Sequence, residues 1–263
     1  MDRVLRRAKR ARQVLLALDF DGTLAEIVPT PAEARLPQGR KHLLGALARK
    51  PRFTVVLLSG RALEDLRERI GLPKAIYGGN HGLEMEGPGI HFIHPQAGGF
   101  RSRLDRLARK LEQALAGFAG ALVEHKGLSL AVHYRRVPPR QRAGVWGVVK
   151  AAVEPLQRRG LLRVREGKAA LDILPRVEWD KGRALLWLME RPRDASPPQA
   201  GRGGTLLIYL GDDRTDVEAV AVVRQRGGIG VRVGRPWRES NARFYLRGPR
   251  EVALFLQRLV AEA

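Results

Sequence analysis

A chain of 263 residues can bury one large core or two smaller ones, and two are favoured at this length. It contains no cysteine, which excludes disulfides, thiolate nucleophiles and Cys-ligated zinc or iron-sulfur sites and leaves the chemistry to oxygen and nitrogen groups. The formal charge is +21, but nine of the 48 basic residues are Lys and the Arg residues are scattered without an aromatic-interleaved stripe, a pattern that fits an Arg-rich proteome better than a specific nucleic-acid surface.

The basic start, Met1 to Arg10, lacks the apolar core and cleavage site of a signal peptide, and no stretch approaches a membrane span, so a cytoplasmic protein with no membrane partner is expected. Val14 to Phe20 is predicted as a buried strand, Gly39 to Ala48 as a helix, Phe53 to Leu58 as a second strand and Ala62 to Ile70 as the helix after it. This alternation predicts an α/β sheet with parallel order. The middle of the chain changes rhythm. A helix over Phe100 to Ala116 precedes strands at Ala121 to His125 and Ser129 to Tyr134, and a helix over Gln141 to Leu156 precedes strands at Leu161 to Arg165 and Ala169 to Leu174. Helix-strand-strand repeated twice predicts a small α+β domain with an antiparallel sheet, inserted over 97–175 into a core of 1–96 and 176–263. The first pattern then resumes with a helix from Lys181 to Glu190, a strand from Thr205 to Leu210, a helix from Asp216 to Arg226, a strand from Ile229 to Val233 and a terminal helix near Arg250 to Val260; the turn-rich run 193–204 is expected as a surface loop.

Four separated pieces, three of them directly after predicted strands, carry phosphoryl-transfer groups. Asp19-Phe-Asp21-Gly22-Thr23 follows Leu-Leu-Ala-Leu, where period two lets both carboxylates leave the strand on one side. Asp19 is the expected nucleophile and Asp21 the general acid and base, while Gly22 and Thr23 turn amides toward the phosphoryl group. A capping Asp pair at a turn is the plainer alternative. Ser59, with the Gly60 amide, ends a second apolar run before a helix and suits phosphate oxygens; alone it would read as a cap. Lys181 starts a helix and is expected to set its ammonium against the phosphate and Asp19. Asp212 and Asp213 end the run Leu-Leu-Ile-Tyr-Leu-Gly, with Asp216 three residues on. Hard oxygen ligands suit Mg²⁺: Asp19, the Asp21 carbonyl and Asp212 are the expected ligands, with Asp213 and Asp216 as outer or weaker candidates. Together the pieces predict an enzyme that removes a phosphoryl group.

With these pieces in this order the chain resembles the haloacid dehalogenase superfamily of aspartate-nucleophile phosphatases. Further strings, Asn80-His81-Gly82-Leu83-Glu84, Glu124-His125-Lys126-Gly127, His133-Tyr134-Arg135, Gly167-Lys168 and Gly211-Asp-Asp-Arg-Thr-Asp216, are similar to its trehalose-6-phosphate phosphatase family over essentially the whole chain. The resemblance implies a doubly wound Rossmann-like core, an inserted α+β cap that selects substrate, Mg²⁺ as cofactor and a phosphorylated disaccharide as substrate. It also implies that Glu124, Lys126, Lys168 and Asp172 hold sugar hydroxyls. His81, beside Gly82, is expected either to border the pocket or to be a hydrogen-bonded structural histidine, and His133 is a further candidate contact. Arg61 is expected to support the junction of core and cap, or to meet phosphate. The family usually carries Glu-x-Arg-Pro where this chain has Asp172-Ile-Leu174-Pro175, a shorter acid without the Arg, which bears on sugar recognition but not on the phosphatase chemistry. Sucrose 6-phosphate and mannosyl-3-phosphoglycerate are the alternative substrates; a non-catalytic basic module that binds phosphosugars or nucleic acid is the alternative class. A monomer is expected, with the oligomeric state left open.

Overall fold

Leu15, Leu16, Ala17 and Leu18 are all fully buried, without the alternation of a half-exposed strand, because helices cover both faces of a parallel sheet. The computed structural model describes residues 1–167, 169–190, 204–236 and 240–262. Its elements in chain order begin with α1 (Asp2–Arg10), β1 (Gln13–Leu18), α2 (Gln38–Arg49), β2 (Phe53–Leu58), α3 (Leu63–Ile70), β3 (Ile76–Gly79), β4 (Glu84–Gly87) and β5 (Ile90–Ile93). There follow α4 (Pro95–Gly98), α5 (Arg101–Leu115), β6 (Leu122–His125), β7 (Leu130–His133), α6 (Arg142–Arg158), β8 (Leu162–Glu166) and β9 (Ala170–Pro175). The last are α7 (Lys181–Glu190), β10 (Thr205–Gly211), α8 (Val217–Gln225), β11 (Ile229–Val233), β12 (Phe244–Leu246) and α9 (Pro249–Glu262).

The chain divides into two compact units, one of Met1–Val28, Ala32–Phe92 and Trp179–Ala263, the other of Pro29–Pro31 and Ile93–Glu178. The first holds an eight-stranded sheet in the order β12-β11-β10-β1-β2-β3-β4-β5. From β12 to β3 every neighbouring pair is parallel, whereas β4 runs antiparallel to β3, so the sheet is mixed where a parallel one was predicted. A tight connection through Asn80–Gly82 forces that reversal, since so few residues cannot make the crossover that parallel pairing needs. Two cores flank the sheet. Val14, Leu16 and Leu18 pack with Leu44, Leu256 and the α1 residues Val4 and Leu5 on one face; Leu15 and Ala17 pack with Leu185 and Val220 on the other.

The second unit is a four-stranded antiparallel sheet, β6-β7-β9-β8, as the helix-strand-strand repeat predicted. Leu130, Val132, Leu171 and Ile173 alternate onto one apolar face and pack with Leu104 and Leu111 of α5 and Val145 and Val149 of α6. Period two sends Glu124, Asp172 and His133 to the opposite face.

The largest departures from the predicted elements are α1, β3, β4, β5 and β12, which the periodicity did not announce. The strands among these have three or four residues each, shorter than a pattern needs to declare itself. Of the loop expected over 193–204 only Gly204 is among the described residues.

Candidate active site

Three adjacent parallel strands bring the predicted pieces together. Leu18 of β1 is in register with Leu210 of β10 and Leu57 of β2, so Asp19, Asp212 and Ser59 leave the sheet side by side at its carboxyl edge. That edge is where open α/β sheets place their chemistry. Gly22 takes φ 82°, and the Gly22 amide donates to the Ala25 carbonyl at 2.8 Å and the Thr23 amide to the Phe20 carbonyl at 3.3 Å, so both amides close the turn that carries Asp21 where the sequence predicted them turned toward a phosphoryl group.

Lys181, from the first turn of α7, is 2% exposed, and its ammonium donates to Asp19 Oδ1 at 2.6 Å and Asp216 Oδ1 at 2.7 Å. Burial opposes the ammonium charge, but the two carboxylates outweigh it and hold the Lys181 pKa well above its ordinary value. Burial pushes Asp19 well up, with Asp216 and Asp212 adding to the rise against Lys181. Asp216 goes the other way. Burial raises it, but Lys181, the Asp213 amide at 2.8 Å and the Tyr209 hydroxyl at 2.7 Å outweigh burial and hold it below the usual carboxylate range. Both Asp216 oxygens are thus occupied by protein donors, which makes this residue an anchor for Lys181. Asp19 Oδ1 is taken by Lys181, while its second oxygen has no donor among the described residues.

Oxygens of Asp19, Asp212 and Asp216 all lie within 4.8 Å of one another in buried surroundings. Three buried carboxylates whose oxygens approach this closely are hard donors of the kind a divalent cation takes. The donor set therefore fits a metal site. Asp213, by contrast, directs its side chain to the Arg214 amide at 2.7 Å and caps the turn before α8.

A Cβ at Gly22 would lie 1.8 Å from Asp212 Oδ2, in a backbone conformation that disfavours side chains in any case. Gly22→Ala is expected to displace the Asp212 carboxylate and lower turnover by about 100-fold, since an ångström of misplacement costs that order. Steady-state phosphate release checks it; activity within a few fold of the parent would show that the close approach is unimportant.

The structure gives Arg61 a role that the sequence reading did not. Its guanidinium forks onto Asp21, Nε to Oδ2 at 2.7 Å and Nη2 to Oδ1 at 2.8 Å, while Nη1 reaches Asp65 Oδ2 at 2.7 Å. Burial works against this charge, but Asp21 and Asp65 raise the Arg61 pKa further from neutrality. Its partner Asp21 is the residue expected from the sequence as acid and base, and the fork ties the two side chains together. Ser59 is buried and its hydroxyl accepts from the Arg61 amide at 3.2 Å; Thr23 Oγ1 is buried with no partner among the described residues. His81 packs on Gly60, where a Cβ would lie 2.7 Å from the His81 ring. Asn80, His81 and Gly82 all have positive φ, and the Asn80 and His81 amides donate to the Arg61 and Ser59 carbonyls at 2.7 and 2.8 Å. That string therefore braces the Ser59-Gly60-Arg61 turn. Tyr209 was also missed, because a tyrosine inside an apolar strand carries no local sign of a partner seven residues on.

In the second unit, Lys126 Nζ donates to Asp172 Oδ1 at 3.0 Å, and His133 Nε2 lies 2.6 Å from Glu124 Oε2. Glu124 is in register with Ala131, and Ala131 with Asp172, so one row across the sheet carries both acids. Lys168 lies outside the described residues.

A mixed sheet with parallel strands around a central β1, an aspartate pair at the end of that strand and a separate antiparallel sheet define an α/β fold of the haloacid dehalogenase class. The sequence profile described as Trehalose-phosphatase matches residues 17–250. The chain is 40% identical over 255 residues to the trehalose-phosphate phosphatase of Mycobacterium tuberculosis, covering 96% of this chain and 62% of that protein. It is 34% identical to the probable trehalose-phosphate phosphatase D of Arabidopsis thaliana, covering 96% and 69%. The C-terminal domain of the Candida albicans trehalose-6-phosphate phosphatase has the same fold, with a TM-score of 0.84 at 22% identity over 99% of this chain and 96% of that one. The chain belongs to the trehalose-phosphatase family. It spans 62% of the length of the mycobacterial relative. Among the described residues no helix is long and apolar enough to cross a membrane.

Proposed function

We propose that this chain is a Mg²⁺-dependent phosphatase that hydrolyses trehalose 6-phosphate to trehalose and inorganic phosphate. The observation that carries the reading is the meeting of Asp19, Asp212 and Asp216 around Lys181, in a chain of this family. Asp19 attacks phosphorus with its second oxygen as the bond to the sugar oxygen breaks, forming an aspartyl-phosphate. Asp21 delivers a proton to the departing sugar oxygen, then takes one from the water that attacks phosphorus, which returns the Asp19 carboxylate and releases phosphate. Because both Asp21 oxygens accept from Arg61, Asp21 leaves that fork to carry its proton, and Arg61 keeps Asp65 when it does. Lys181 holds Asp19 in place and offsets charge on the phosphoryl oxygens, with the Thr23 and Ser59 hydroxyls and the Gly60 amide around them and Gly22 shaping the turn. Asp19, the Asp21 carbonyl and Asp212 would hold Mg²⁺, which when bound supplies further neutralisation of the phosphoryl group.

The unit over 97–175 is the substrate-selecting cap in this reading, with Glu124, Lys126, Lys168 and Asp172 on the sugar and His133 orienting Glu124. Charged groups that accept from or donate to hydroxyls suit a disaccharide, which offers many hydroxyls and no charge beyond its phosphate. Lys126→Met is expected to raise the KM for trehalose 6-phosphate by about tenfold, the scale of one charge-assisted hydrogen bond, and to leave turnover of p-nitrophenyl phosphate unchanged. Equal loss on both esters would place Lys126 in the phosphate chemistry instead.

Phosphate release from trehalose 6-phosphate, sucrose 6-phosphate, mannosyl-3-phosphoglycerate and glucose 6-phosphate, each with Mg²⁺ and with chelator, tests the proposal. A Mg²⁺-dependent preference for trehalose 6-phosphate is expected. A preference for another ester would move the error to the cap residues, and release undiminished by chelator would remove the metal.

A further inference from the structure

At the amino ends of β11 and β12, the edge of the sheet opposite to Asp19 and Asp212, lies a cavity of about 790 Å³ lined by Arg3, Arg7, Arg224 and Arg243. Arg3 and Arg7 project from α1, one turn apart; Arg224 comes from the last turn of α8, and Arg243 directly precedes β12. No acidic residue lines it among the described residues. Two of the guanidiniums are held in place by carbonyls alone: Arg7 Nη2 donates to Gly227 O at 2.7 Å and Arg224 Nη1 to Asn241 O at 2.5 Å. Among the described residues, two nearby acids are committed elsewhere, Asp2 to Arg258 at 2.7 Å and Glu190 to Arg226 at 2.9 Å. Arg3 and Arg243 have no acceptor among the described residues.

Four guanidiniums around one concavity repel one another, and an anion is the group that relieves them. Carbonyl dipoles orient Arg7 and Arg224 without cancelling their charge. The guanidinium fork matches phosphate oxygens in pairs, and four forks exceed what one phosphate of at most two charges can satisfy. The volume is that of a small-molecule site rather than of an extended groove. We propose that this cavity binds a small polyanion with two or more adjacent phosphate groups, at a site separate from the one that performs the chemistry. The proposal does not depend on the activity assigned above.

The test uses the full chain in chelator, which removes any divalent cation that could bridge a phosphate to the cluster of Asp19, Asp212 and Asp216, and titrates inorganic tripolyphosphate calorimetrically at about 150 mM salt to screen long-range attraction. Expected is one tripolyphosphate per chain, bound at least tenfold more tightly than orthophosphate. Arg3→Gln/Arg243→Gln is expected to lose at least tenfold in affinity, with an unchanged thermal melt because neither side chain has a partner to lose. Arg101→Gln/Arg109→Gln, two exposed residues of α5 that remove the same charge elsewhere, is expected to change affinity by less than twofold. The single Arg243→Gln, with an expected loss of about threefold, gives the same readout should the double variant fold poorly. Absence of binding would overturn the proposal, as would equal losses in the two double variants, which would make the attraction one of net charge. Tighter capture of a single-stranded oligonucleotide with the same dependence on Arg3 and Arg243 would also overturn it, in favour of a nucleic-acid surface.

Discussion

Replacing Asp19 with asparagine is expected to lower phosphate release by about 10⁴-fold or more while the protein stays folded, because the substitution removes the nucleophile at constant shape. The fold should tolerate it well. Asp19 is buried beside two other carboxylates that push its pKa up, so a neutral amide there relieves repulsion. Lys181 keeps its 2.7 Å contact with Asp216. The expected pair of results is therefore near-zero turnover with a Tm equal to or above that of the parent. Turnover within about 100-fold of the parent would mean that water attacks the ester directly and that Asp19 acts only through its charge.

Lys181→Met is the second large effect, and it falls on stability as well as activity. The ammonium is buried between two carboxylates at 2.6 and 2.7 Å, and removing one partner of such a set leaves charge with nothing to compensate it. The cost is about 3–5 kcal/mol, or a fall in Tm of about 10 °C for a chain of this size. Thermal melts with and without Mg²⁺ check the cause. A smaller fall in Mg²⁺ than in chelator is expected, because a cation among Asp19, Asp212 and Asp216 replaces part of the lost charge. An unchanged Tm in chelator would show that the three acids are neutralised in some other way, and would weaken the argument that they demand a metal.

Much of the placement of the candidate site was legible because strands covered on both faces are written as unbroken apolar runs, and polar residues at their ends stand out. Leu15 to Leu18, Val55 to Leu58 and Leu206 to Leu210 are such runs, and Asp19, Ser59 and Asp212 follow from them. The alternating residues of β7 and β9 made the second sheet visible in the same way. What stayed hidden was the partner more than the residue. Arg61 was singled out for the junction of core and cap or for phosphate, yet it is 5% exposed and holds Asp21, which no local pattern announces. Tyr209 looks like another apolar strand position. Arg3, Arg7, Arg224 and Arg243 cannot be told from the other Arg residues until the fold sets them around one cavity.

Periodicity and chain turns are local properties, so the order of residues alone reveals that the polar candidates end strands or begin helices and that two kinds of sheet are present. Which charge meets which is settled by packing in three dimensions. Lys181 reaches Asp19 across 162 residues, Arg61 reaches Asp21 across 40, and Lys126 reaches Asp172 across 46. Those pairings follow from the order in which strands lie in each sheet, which is set by how the two cores are buried and not by any residue's neighbours in the chain.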